Sequence, residues 1–518
     1  MKKVICRETI LLVFCLLVGF ALRYYTLDRK SLWIDEVHTF NDSKGGLFEH
    51  IKDIKEGEAE LRHPPLFYAL THLFHPFEKP ERDLRIIPLL FGTLSIPMIY
   101  FLSRLFSPSI AVPCTLSLSF MTYHISYSQE GRAYALILFL GMVGLYLLMK
   151  YIMTLKKRYL IGTAFCYAIA FHTSYSFILF MIFSQGFWFY RIEGTNRKPA
   201  LSPFLTLNGL ALLLCLPWIL FVWFVHKSGV ESDLLYTHVF GSFFAVFSDL
   251  LNDWVPFFPL TLVSVILLFL FPFFAKNKRN ALLLLSIFTL PVVSLYAFCN
   301  LFNIYHFFSS KYVINFLPLL LVALYLSLQT IEGRFEKLRR IISLKLLFII
   351  LFIGSNMMIL PLYYRAQKQD FRGLVSYLEG NLRDGDRIFV KSVAYMPGIL
   401  HYFKVYPKSR YYHFPFRWID SEKKEFEYEV VLSSADKRIT IFFTNIPLQR
   451  YLEGGKRLWV VVGTPAVKEM KETYPCRLMG YFDGTYSHFR RFPGDASMYL
   501  FLCARSSPGE EDSDIKIE

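Results

Sequence analysis

The residues best suited to chemistry lie in Ser31-Leu32-Trp33-Ile34-Asp35-Glu36-Val37-His38-Thr39-Phe40, just after the first apolar run. Two adjacent carboxylates framed by Trp33 and Phe40 at a membrane surface are expected to carry raised pKa values. One of them could serve as a general base or a metal ligand. The same residues also suit a solvated loop with two ordinary acids.

Four further stretches carry polar groups of the right kind. Arg62-His63-Pro64-Pro65-Leu66-Phe67-Tyr68 puts two basic groups before a proline pair that starts a helix, an arrangement suited to an anion. It equally describes an interfacial helix with a snorkelling Arg. Tyr127-Ser128-Gln129-Glu130-Gly131-Arg132-Ala133-Tyr134 sets an acid and a base between two apolar runs, as a binding turn or a plain loop salt bridge. His172 interrupts a long apolar run, where a lone histidine is usually a hydrogen-bonded filler. Ser309-Ser310-Lys311-Tyr312 opens a later run with a cation and a phenol, a pair that also anchors helices at interfaces.

The elements that must position these residues are read from composition. Of 518 residues, 54% are hydrophobic and 19% charged, with a mean hydropathy of +0.38. A soluble protein needs a charged fraction of about a quarter, so a soluble enzyme is excluded, and so is a disordered chain. Apolar runs fall at 4–22, 84–104, 109–127, 133–153, 159–173, 175–190, 201–226, 256–275, 280–300, 312–331 and 341–363. They predict an all-α polytopic membrane body of about eleven transmembrane helices. The stretch 64–77 is too short to span and reads as re-entrant or interfacial.

Charge orients the body. Basic clusters at 156–158, 191–198, 276–279 and 334–340 are separated by even numbers of runs, so all four can be cytoplasmic together with the N-terminus. The net charge of +15 follows from 56 Lys and Arg against 41 Asp and Glu. Because most of the excess lies in short loops, it reads as topology and contact with membrane lipids, with no nucleic acid as partner.

This topology puts residues 23–83, including all of the first large loop, on the outer side. It places the Asp35, His63, Arg132, His172 and Lys311 stretches on that same side. The spans have almost no charge at their centres, so the expected site is at the outer boundary.

After position 364 the composition turns polar. A helix over 370–382 and strands over 387–391, 439–443, 458–462 and 498–502 predict a C-terminal extracytoplasmic α/β domain. The expected divisions are a membrane body at 1–363, this domain at 364–505 and a disordered acidic tail at 506–518. Cys476 and Cys503 lie in the polar part and the other six cysteines in or beside apolar segments. No disulfide framework or zinc site is expected from their spacing.

In this order the segments resemble the membrane glycosyltransferases of the GT-C type, in the branch containing protein O-mannosyltransferases and the lipid A aminoarabinose transferase. The matching features are Leu32-Trp33-x-Asp35-Glu36, His63-Pro64-Pro65-Leu66, Gln129-Glu130-Gly131-Arg132-Ala133-Tyr134, Lys311-Tyr312, and Asp370-Phe371-Arg372-Gly373 followed by Asp384-Gly385-Asp386. The resemblance implies a polyprenyl-phosphate sugar as donor and attack on its anomeric carbon by an acceptor hydroxyl, with inversion.

The resemblance also implies roles for individual residues. Asp35 is the catalytic carboxylate, supported by Glu36. His63, Arg132, Glu130, His172, Lys311 and Tyr312 form the donor and phosphate site. His63 stands where the aminoarabinose branch has a lysine. A divalent metal is left open. The absence of room for a β-rich insert favours a bacterial inner-membrane enzyme with an undecaprenyl carrier, acting on a protein or a lipid glycan such as lipopolysaccharide. The other reading of the span count is a transporter or flippase of lipid-linked sugars. A third places the activity in the domain after 364, which lacks a nucleophile elbow or a histidine pair with metal spacing.

Overall fold

The computed structural model describes residues 2–56, 63–191, 201–226, 242–302, 309–335, 343–405, 429–433, 440–444, 448–452, 457–484 and 496–503. Arg62 and the acidic tail lie outside these residues. The first helix, α1 (Lys2–Tyr24), leads into a helical loop made of α2 (Ile34–Ser43), α3 (Gly46–Glu56), α4 (Leu66–His72) and the single turn α5 (Pro80–Asp83). The body continues with α6 (Ile86–Phe106), α7 (Pro108–Phe120), α8 (Thr122–Ser128), α9 (Tyr134–Thr154), α10 (Lys157–Phe171) and α11 (Phe177–Phe183). It closes with α12 (Leu201–His226), α13 (Phe243–Trp254), α14 (Phe258–Phe274), α15 (Lys278–Leu301), α16 (Leu317–Arg334) and α17 (Leu344–Arg365).

Every expected apolar run contains helix, but several depart from a simple span. Among the described residues six helices are long and apolar enough to cross a membrane, or seven if the pair α13 and α14, bent by 108°, counts as one. The run expected at 109–127 stops at Met121, whose backbone is extended, and resumes as α8. The run at 175–190 is the seven-residue α11 followed by a 3-10 helix over Ser184–Phe189. The expected helix in 64–77 is the short α4.

The break at Met121 leaves helix-end groups that need partners. Arg23, buried on α1, donates to the carbonyls of Leu118 and Ser119 at 2.9 and 3.1 Å. From the other side, Asn356 of α17 accepts from the Thr122 amide at 2.8 Å. The interruption is thus held by α1 and α17 together, and it directs α8 toward the turn that carries Glu130 and Arg132.

A continuous apolar cluster joins α6, α7, α9, α10 and α14 to α17. Its pillar is α16, in which Leu319 through Tyr325 have no exposed surface. A helix that is apolar all round is an interior helix, and the others pack around this one.

The C-terminal part begins with α18 (Phe371–Asn381) and α19 (Met396–Tyr402) and includes α20 (Val467–Thr473). Its sheet has the order β2-β3-β1-β4-β6-β5, from β1 (Arg387–Val390), β2 (Glu429–Ser433), β3 (Thr440–Thr444), β4 (Leu458–Gly463), β5 (Cys476–Phe482) and β6 (Met498–Cys503). β1 runs parallel to β3 and β4, and the outer pairs are antiparallel. Four strands were legible as β-rich runs; β2 and β5 were not.

The cysteine expectation is corrected here: Cys476 and Cys503, opposite one another in the β5–β6 register, form a disulfide. Spacing alone could not show that the two meet across a strand pair. At a sequence separation of 27, the bond restricts the unfolded chain. Reduction, or Cys476→Ser, should cost this domain about 2–4 kcal/mol, read as an earlier thermal transition while helical circular dichroism persists. An unchanged transition would mean that strand pairing alone holds the loop.

Candidate active site

The Glu36–Arg85 ion pair anchors the site. The Arg85 guanidinium, at the start of α6, donates to both Glu36 oxygens at 2.8 and 2.7 Å, and both side chains are almost fully buried. The remaining donors of Arg85 reach the carbonyls of Leu27, Lys30 and Ser31. Glu36 Oε1 also accepts from the Gly131 amide at 2.7 Å. A Cβ at position 131 would lie 3.2 Å from that oxygen and 3.1 Å from Leu84, so glycine permits the approach. The Glu36 oxygens thus anchor the loop that carries Asp35. Arg85 went unnoticed in the sequence because an Arg before an apolar run looks like an ordinary interfacial anchor.

This anchor sets the start of α2, where Asp35 and Glu36 occupy the first turn and benefit from the positive end of the helix. The segment 366–370, after α17, holds the same loop from above. Gln367 Oε1 accepts from the Ser31 amide at 3.1 Å and Gln369 Oε1 from the Ile34 amide at 2.8 Å. Tyr402 of α19 accepts from the Leu32 amide at 2.8 Å and donates to Glu81 at 2.9 Å. The C-terminal part thus contributes directly to the geometry of the Asp35 loop.

Asp35 points into a cluster of cations. Its Oδ2 is 4.0 Å from Arg132 Nε. Burial would push its carboxyl up, but Arg132, Lys311, His38 and Lys368 together outweigh that and hold it below the ordinary aspartate range. The raised pKa expected from apolar framing is therefore reversed by charges contributed from distant parts of the chain.

Arg132 donates to the Asp35 carbonyl and to Thr39, and its other terminal nitrogen is 3.3 Å from His63 Nε2. Burial, then the neighbouring Arg132, lowers His63 to about 3. Both influences favour the neutral form of the imidazole in the empty site. The start of α4 does not present a free anion site, since the helix has seven residues and the Leu66 amide donates to the His172 carbonyl at 3.0 Å.

Trp33 brings two more cations together. Lys368 Nζ lies 3.7 Å from its ring centroid and pairs with Glu130 at 2.7 Å. Lys311 Nζ rests among Trp33, Tyr134 and Tyr312 at 5.2–5.8 Å from their centroids. Such a cage holds an ammonium while leaving its charge uncompensated. Lys368 was missed because it falls where the composition changes, in a stretch that reads as linker.

His172 is not brought into this group. Its ring nitrogen is 3.1 Å from the Leu214 carbonyl on α12, where it serves as a packing and hydrogen-bonding group. Asp35, Arg132, Lys311, Tyr312, Glu130 and His63 do converge. With Glu36 matched to Arg85 and Glu130 to Lys368, Asp35 faces both Arg132 and Lys311, so positive charge is in excess. No group of three or more His, Cys, Asp or Glu suited to a metal occurs among the described residues. The arrangement can therefore receive an anion beside an ionised carboxylate.

Residues 62–223 match the family described as dolichyl-phosphate-mannose-protein mannosyltransferase. The fold is similar to that of ArnT from Cupriavidus metallidurans. In the apo state the TM-score is 0.52 at 12% identity, covering 96% of this chain and 98% of that one. Bound to undecaprenyl phosphate, ArnT gives a TM-score of 0.50 at 11% identity, covering 95% and 97%. No curated relative matches the chain by sequence. The chain is a multi-pass membrane protein with the GT-C glycosyltransferase fold. The family match covers less than a third of the chain and lies within a bundle whose fold is ArnT-like.

Removing one partner of a buried ion pair strands the other, at a cost of about 3–5 kcal/mol. Arg85→Leu should therefore destabilise the purified chain by that order in thermal denaturation. Asp35→Asn, which leaves the anchor intact, should change stability by less than about 1 kcal/mol. Equal losses in the two variants would remove the distinction between anchor and reactive carboxylate.

Proposed function

We propose that the chain transfers a sugar from a polyprenyl-phosphate donor to an acceptor hydroxyl, with inversion, at the outer face of a bacterial inner membrane. The observation that carries this reading is the ionised Asp35 held beside Arg132 and Lys311, two cations placed to meet a phosphate. The family described by dolichyl-phosphate-mannose and the ArnT fold with bound undecaprenyl phosphate support the donor class. In this reading residues 1–363 are the catalytic body, with a cytoplasmic N-terminus, and 364–505 an outer domain. A disulfide in that domain is consistent with an oxidising compartment. The acceptor is a protein or lipid glycan.

The acceptor oxygen attacks the anomeric carbon as the bond from that carbon to the phosphate oxygen breaks. The hydroxyl proton passes to Asp35, and negative charge collects on the departing phosphate, where Arg132 and Lys311 stabilise it. Tyr312 positions Lys311, and His63, being neutral, orients Arg132. Glu130 fixes Lys368 and so keeps a further positive charge near Trp33.

Asp35 is a weak base in the empty site because the same cations depress its pKa. An anionic donor offsets those cations, so its binding raises the Asp35 pKa toward a value useful for proton transfer. The protonated fraction of Asp35 limits the rate only below its pKa. The acid limb should therefore lie below the ordinary aspartate range in kcat/KM and higher in kcat. An acid limb near pH 6.5 in kcat/KM would instead point to a histidine and count against this assignment.

The direct test is transfer in membranes supplied with a panel of polyprenyl-phosphate sugars. Asp35→Asn should lower turnover by on the order of 100-fold or more, as expected for loss of a general base, with expression and insertion unchanged. Full turnover in that variant would overturn the assignment. The donor consumed by the native chain would identify the sugar.

A further inference from the structure

A cavity lies at the far end of the bundle. It encloses about 700 Å³ between the ends of α6, α9, α14 and α16 and the start of α15. The 21 residues of α6 run from beside Arg85 to this cavity. At 1.5 Å per residue that separates it from the Asp35 site by about 30 Å, the thickness of a bilayer's hydrocarbon core. It is not an extension of the site described above.

Its chemistry is divided. Phe106, Met153, Phe271 and Leu284 supply apolar walls, while Arg191, Lys276 and Arg334 stand at the mouth. Each cation comes from a different helix connection. The Arg191 backbone is tied to α15 by reciprocal hydrogen bonds with the Asn280 side chain at 2.9 and 2.7 Å. Lys276 sits in the turn between α14 and α15, and Arg334 ends α16, where the helix dipole favours a cation. Among the described residues none of the three has an ion-pair partner, and no acidic side chain lines the cavity.

We propose that this cavity binds an anionic glycerophospholipid, its phosphate at Arg191, Lys276 and Arg334 and an acyl chain against the walls. Apolar walls at the edge of a membrane-crossing bundle disfavour a free phosphate or nucleotide, which has nothing to place there. Three uncompensated cations disfavour a zwitterionic head group, whose ammonium they repel. Occupancy would brace the junction of α6, α9, α14, α15 and α16 at the end remote from the chemistry. The proposal is independent of the role of Asp35.

The test uses the full chain in detergent micelles, with native mass spectrometry reading retention of added lipid. Dioleoylphosphatidylglycerol should be retained in preference to dioleoylphosphatidylcholine. Neutralising the three exposed cations (R191Q, K276Q and R334Q together) should weaken that retention roughly fivefold per cation and on the order of 100-fold in all. Thr330→Trp, which fills the cavity and leaves the charges in place, should weaken it as well. Retention of the two phospholipids to the same degree, or retention unchanged in both variants, would overturn the proposal. So would dependence on the three cations seen for undecaprenyl phosphate alone, since the cavity would then hold a polyprenyl phosphate. Asp35→Asn should leave this binding unchanged, so failure here and failure of the transferase reading are distinguishable.

Discussion

The Arg85 guanidinium is withdrawn from water and would be costly there without compensation. It is compensated by both oxygens of Glu36 and by three carbonyls of the loop that follows α1. The loop can therefore take only a conformation that turns those carbonyls inward. The same conformation starts α2 at Ile34, and Glu36 in turn receives the Gly131 amide and draws the Glu130-Gly131-Arg132 turn beside it. Asp35 is next to Glu36 on a helix, so fixing one carboxylate directs its neighbour elsewhere, toward Arg132. The division of labour between adjacent acids comes from which one has an arginine behind it.

A second constraint comes from outside the bundle. Three consecutive side chains of the segment after α17 act on the site: Gln367 and Gln369 hold the backbone of the Asp35 loop, and Lys368 reaches Glu130 and Trp33. The backbone bends at Lys368, and the two glutamines meet one loop while the lysine meets another group. Tyr402 adds a hydrogen bond from within the C-terminal part. This part is thus coupled to the geometry around Asp35, and rearrangement of its position would be felt in the hydrogen bonds of Ser31, Leu32 and Ile34.

Sequence reading recovered what depends on local chemistry and failed where distant segments meet. Apolar runs located the helices because burial in lipid demands length and uniformity. They could not show that the run at 109–127 breaks at Met121, because the groups that tolerate the break, Arg23 and Asn356, come from α1 and α17. Asp35, Arg132 and Lys311 were legible as polar residues at run boundaries, and they do converge. Arg85 and Lys368 were not, since each resembles a common boundary residue until its partner is known. The Asp35 pKa was expected to rise from local framing and is instead lowered by charges 97, 276 and 333 positions away, at Arg132, Lys311 and Lys368.

The packing of the bundle also bears on what passes through it. α16 has no charged residue from Leu317 to Thr330 and is buried on all sides over most of that length. Two hydroxyls against α16 are satisfied within the protein: Ser117 meets Tyr325 on α16, and Ser327 donates to the Leu267 carbonyl. A path for a charged sugar phosphate would need ionisable groups or broken helices near the middle of these segments. The described interior around α16 is instead filled by Leu, Val, Phe and Tyr in continuous contact. Charge and irregular backbone are gathered at the end where Asp35 lies, with a separate group of cations at the opposite end. A bundle built this way, with its charge at the ends and a closed interior, suits the proposed transfer at its boundary better than transport.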